Sequence, residues 1–117
     1  MYSSKIENDL VSEIHLERIH ARVFLLVTCY GKMSPEIIGQ KLKISFNEAK
    51  KTSEDLMVLG AFIDISETEF EAMHPRFTVV NMYRKRCERE NIKFKQNKII
   101  DNIGAILEKP YNDARTK

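Results

Sequence analysis

The stretch Met33–Lys51, MSPEIIGQKLKISFNEAKK, holds two helix-start signals eleven residues apart. Ser34-Pro35 is the first. A serine at the N-cap accepts a hydrogen bond from a free first-turn amide, and proline at the first helical position gives up no bond. Ser45-Phe46-Asn47-Glu48 is the second, with Ser45 and Glu48 at the spacing of a capping box. The helices they open, over 35–43 and 46–59, are joined by too few residues to run alongside one another and must cross sharply. Gly39 falls where the crossing brings the backbones together, and Leu42 and Ile44 frame the turn. Ile38 and Leu42 of the first helix face inward with Ala49, Ser53, Leu56 and Leu59 of the second, which ends at Gly60.

Upstream, SKIENDLVSEIH puts Ile6, Leu10, Val11 and Ile14 on one helical stripe, with Ser4 and Glu7 spaced as a further capping box. LERIHARVFLLVTCYG continues the helical pattern and closes at Gly31. Downstream, AFIDI reads as a strand with Phe62 inward, SETE as a polar turn and FEAM as the returning strand. HPRFTVVNMYRKRCEREN is helical again, with Pro75 in its first turn and Phe77, Val80, Tyr83 and Cys87 on one side. A last helix over 96–108 carries Ile99, Ile100, Ile103, Ile106 and Leu107. The expected class is mainly α with a small β-hairpin. Three helices and then a hairpin, the third helix capped by serine, is the winged helix-turn-helix order. The expectation is a single domain with that core over 16–74, and terminal helices over 3–15 and 75–109 for dimerisation or packing.

HARVFLLVTCYGKMSPEIIGQKL is similar to the first two helices of archaeal TrmB-like transcriptional regulators, and FEAMHP resembles their exit from the wing. The likeness spans residues 16–77 and implies the DNA-binding part of such regulators, in an archaeal setting. Ser53 departs from it, standing where these helices usually carry leucine. Nothing about a sugar ligand follows, because the resemblance does not extend to a sugar-binding domain.

A winged helix of this kind presents the start of its third helix to the major groove. Asn47 would then suit adenine, Lys50 or Lys51 guanine, and Phe46 a thymine methyl. Lys32, Lys41 and Lys43 would lie nearer the phosphates, as would Ser34 at the start of the helix over 35–43, and Ser45 is a further candidate DNA contact. Arg84 and Arg86 are candidates for a flanking phosphate contact. They belong to a cluster with Lys85 and Arg89 that equally suits an acidic partner or an ordinary solvated helix exterior.

The formal charge of +2 hides strong segregation. Residues 53–75 contain six carboxylates and no lysine or arginine, whereas 76–98 contain eight cations against Glu88 and Glu90. The hairpin therefore carries only acids, which repel phosphates. It is expected to face away from DNA or to serve a protein partner.

No apolar run approaches the roughly 20 residues of a membrane span, and the N-terminus lacks a signal-peptide pattern. With Cys29 and Cys87 far apart, a reduced cytoplasmic, nucleoid-associated setting is the expectation. The chain shows no phosphate loop, nucleophile motif or paired catalytic carboxylates, so an enzyme is not expected. Nor is a cofactor or metal: His15 and His20 are five apart, off the spacing that aligns two ligands on a helix. His74 before Pro75 reads as a cap. The two terminal apolar stripes need covering, either within a monomer or across a homodimer, and the homodimer is favoured. Sequence-specific double-stranded DNA binding by a transcriptional regulator is the leading expectation. A winged-helix protein-interaction module of a transcription or chromatin complex is its alternative.

Overall fold

A computed structural model describes residues 4–116. Its elements are α1 (Ser4–Ile14), α2 (Arg18–Tyr30), α3 (Pro35–Leu42), α4 (Phe46–Val58), β1 (Phe62–Asp64), β2 (Phe70–Ala72), α5 (Pro75–Arg89) and α6 (Lys98–Arg115). The chain is thus mainly α with a two-stranded antiparallel sheet, in which Ile63 pairs with Glu71. Among the described residues no helix is long and apolar enough to cross a membrane.

Local signals account for most boundaries. The Ser34 hydroxyl accepts from the Ile37 amide at 3.2 Å, and that of Ser45 from the Glu48 amide at 3.0 Å. Lys43 closes α3 in the left-handed region at φ 60°, and the Ile44 amide returns to the Gly39 carbonyl at 3.0 Å. A Cβ on Gly39 would stand 2.8 Å from the Ile44 carbonyl oxygen, closer than side chains tolerate. The α3–α4 crossing therefore requires glycine there. His74 caps α5, its Nδ1 accepting from the Arg76 amide at 3.2 Å.

Phe24, Ile38, Ala49, Leu56 and Phe62 are fully buried where α2, α3, α4 and the hairpin meet. Met33 and Phe70 exchange two backbone hydrogen bonds at 3.0 and 2.9 Å, an isolated bridge tying the chain before α3 to the hairpin. The sequence reading did not anticipate it. Ser66 organises the turn, its hydroxyl accepting from the amides of Thr68 and Glu69.

Several expectations need correction. The start proposed at residue 3 lies outside the described residues, and Ser4 lies within α1 rather than before it. Glu7 binds Arg18 and Arg22 of α2 instead of completing a capping box. On α5 the buried face is Thr78, Val79, Met82 and Cys87, while Phe77 is exposed. On α6, Ile100, Ile103 and Leu107 are buried but Ile99 and Ile106 are exposed, and the helix continues past Pro110 to Arg115.

The terminal helices pack within the chain. α1 lies against α2, α5 and α6, burying Ile6, Leu10 and Ile14. α5 and α6 run in opposite directions: Arg76 meets Glu108 at 2.8 Å, and the Cβ position of Gly104 is 3.0 Å from the Arg76 Cα. The stripe on α1 is covered within the chain, whereas on α6 Ile99 and Ile106 stay exposed beside the buried Ile103. At the far end of α6, Arg115 donates to the Thr28 and Val27 carbonyls at 2.8 and 3.2 Å, pairs with Glu71 of β2 and lies 3.7 Å above the Tyr111 ring.

Candidate nucleic-acid interface

The core-facing residues of α4 are Ala49, Thr52, Ser53 and Leu56. At 100° per residue this directs Asn47 and Lys51 away from the core, Lys50 and Glu54 toward the hairpin, and Asp55 toward α2. Phe46, Asn47, Lys50 and Lys51 are all exposed. Lys41 and Lys43 are exposed at the turn that precedes them and make no ion pair among the described residues. Gln40, not singled out from the sequence, is exposed beside them.

The flanks of α4 differ. On the α2 side, His20 Nε2 lies 2.9 Å from Asp55 Oδ2, and Lys51 Nζ reaches both Asp55 oxygens at 3.5 Å. The hydrogen bond from His20, aided by the charge of Lys51, holds the Asp55 carboxyl below the usual range against the opposing effect of its partial burial. Lys51 thus has an internal partner, but its side chain is 77% exposed and such a pair is weak.

On the other flank, α4, the start of α3 and the hairpin enclose a groove of about 380 Å³. Phe46, Met57 and Phe70 supply apolar surface, and Ser34 lines it while capping α3. Asp64 and Glu67 of the hairpin face Lys50 across it. Asp64 and Glu67 of the hairpin therefore share a groove with α4. Glu36 and Asp64 contribute to this groove and were missed as site residues. Glu36 sits in the first turn of α3, where its acidic type reads equally well as dipole compensation.

The structure does not gather Arg84 and Arg86 with this surface. Arg86 is mostly buried. It donates to the Glu13 carbonyl at 3.2 Å and to Glu90 at 3.3 Å, while Arg89 donates to the Ile14 carbonyl at 3.4 Å. Both serve the C-terminal end of α1, whose last carbonyls have no partner within the helix. Arg84 lies 4.5 Å over the Phe94 ring. His15 Nδ1 approaches Glu90 at 2.6 Å, so His15, His20 and His74 each have a local carboxylate or amide partner. Among the described residues, no three His, Cys, Asp or Glu side chains cluster as a metal site requires.

Comparison of the chain with protein-family models, curated proteins and solved structures yields no match.

Proposed function

We propose that α2, α3, α4 and the hairpin constitute a winged helix-turn-helix. We further propose that the chain binds double-stranded DNA sequence-specifically as a transcriptional regulator, in the manner of the TrmB-like DNA-binding half. One observation carries the proposal. The capped N-terminal turn of α4 leaves Asn47 exposed, with Lys41 and Lys43 exposed at the end of α3 and without an ion pair among the described residues, and Gly39 fixing the crossing. In a major groove, the Asn47 amide matches the donor–acceptor pair of adenine, and Lys50 the acceptors of guanine. Lys41 and Lys43 neutralise phosphates and set the register. The acidic hairpin stays off the backbone. A homodimer, for which the exposed Ile99 and Ile106 of α6 leave apolar surface, would bring two such readers to two half-sites.

Binding of the chain to randomised duplex pools, followed by sequencing of the retained DNA, tests this. Affinity should fall steeply as salt rises, and Asn47→Ala should relax the preference at one position. Absence of duplex binding at low salt sinks it.

A second reading, a protein-interaction module of a transcription or chromatin complex, is favoured by the acidic groove on the very flank of α4 that a wing would share with DNA. Duplex binding that survives loss of Lys41, Lys43 and Lys50 together would mean that this surface is not the reader, and no duplex binding at low salt beside a co-purifying protein would favour the second reading.

A further inference from the structure

Two oppositely charged surfaces lie beside the proposed DNA contact, and the first shares Lys50 with it. The first is the groove between α4 and the hairpin. Its apolar surface includes Phe46, which is 53% exposed, and Met57. Glu36, Glu54, Asp64 and Glu67 line it, against Lys50 as the one cation among the lining residues. The second is the connector between α5 and α6. There Ile92 and Phe94 are exposed and alternate with Lys93 and Lys95, and the Arg84 guanidinium rests on the Phe94 ring. No connector residue lines the groove of its own chain.

We propose that the groove receives the connector of a second copy of this chain. Ile92 and Phe94 cover the exposed Phe46 and Met57, while Lys93 and Lys95 face Glu54, Asp64 and Glu67. Each surface is an apolar patch set among charges mainly of one sign, acidic in the groove despite Lys50 and basic on the connector. Such pairing steers association and rejects the alternatives of groove on groove and connector on connector. The two surfaces are different, so one contact leaves a groove free on one copy and a connector on the other. These close either reciprocally into a two-fold pair or onward into a ring or a row of copies. A patch this small gives weak, transient association. Its charges are solvent-exposed, so salt weakens it. The inference does not rest on the DNA reading and is tested without DNA.

Sedimentation equilibrium of the full chain, at roughly 20 mM and 500 mM salt, measures the association. The average mass should rise above the 13.7 kDa monomer at low salt and return to it at high salt. A groove variant, Glu54→Gln/Asp64→Asn/Glu67→Gln, and a connector variant, Lys93→Gln/Lys95→Gln, should each associate about tenfold more weakly than wild type. Mixed in equal amounts they restore one good interface, and the mixture should reach twice the monomer mass and stop there. Thermal melts that match wild type establish that the variants fold. Glu67→Gln and Lys95→Gln alone, each several-fold weaker, give the same comparison with less perturbation. A wild-type chain that stays monomeric at low salt overturns the proposal. So do variants that associate like wild type, or a mixture that restores nothing, as a two-fold contact through one shared patch would give.

Discussion

Two stretches of this chain are comparably rich in cations, and they are used differently. Around the α3–α4 turn, Lys41, Lys43 and Lys50 are exposed and without ion-pair partners among the described residues. Along the second half of α5, Arg86 and Arg89 reach back to the carbonyls that end α1, and Arg84 is stacked on Phe94. The difference follows from neighbours. A long guanidinium beside a helix C-terminus finds unsatisfied carbonyls and a favourable dipole. Lys41 and Lys43, at the end of α3 and exposed, meet no such carbonyls and find water. Cationic density along a sequence therefore says little about which charges a partner would meet.

That contrast can be broken at several points, in order of falling effect on stability. Gly39→Val should be the most damaging, because its side chain meets the Ile44 carbonyl at the crossing on which the lysines are mounted. A loss of about 1–3 kcal/mol, near the upper end, is expected in urea unfolding. Arg86→Ala should cost about 1–2 kcal/mol in the same measurement, since it strips the Glu13 carbonyl of a charged donor. Duplex affinity should hardly change. If Arg86→Ala instead spares stability and weakens DNA binding, the assignment of the two stretches is reversed. Lys41→Ala with Lys43→Ala should leave stability within about 0.5 kcal/mol. It should lower the salt slope of duplex binding by about 1 for each phosphate no longer neutralised, read by fluorescence anisotropy.

The smallest effect concerns pH. The Asp55 carboxyl is held below the usual range by His20, so its contribution is present at neutral pH. It is lost as pH falls from the ordinary carboxylate range through the lowered value of Asp55 itself. His20→Ala should flatten that acid-side decline in a series of thermal melts. An unchanged decline would mean that other carboxylates govern it.

The same contrast explains what could be read from residue order. The two crossing helices were legible because their caps, Ser34 and Ser45, and the close approach at Gly39 are local and chemically distinctive. The outward placement of Asn47 followed from helical period once Ala49 and Leu56 were taken as core-facing. The buried face of α5 was legible only in part: Cys87 is buried and Val80 and Tyr83 pack half-buried against the core, but Phe77 is exposed. Phe77, Val80 and Tyr83 have the period of a core stripe and outrank Thr78 in hydrophobicity, yet Thr78 is buried, its hydroxyl satisfied by the Pro75 carbonyl at 3.3 Å. The end of α6 was missed because Pro110 reads as a stop; the bonds of Arg115 to α2 and β2 hold the following turn. Nor does residue order announce the groove. It depends on how the hairpin docks, through a Met33–Phe70 bridge between residues far apart in the chain.

Arg115 has a consequence for anyone shortening or tagging this protein. One side chain in the last turn of α6 fastens the exit of α2 and the returning strand of the hairpin at once. Cleavage just after Asn112 should therefore register as faster amide exchange at Phe70 and Ala72, far upstream in the chain. The amides at the start of α4 should keep their protection.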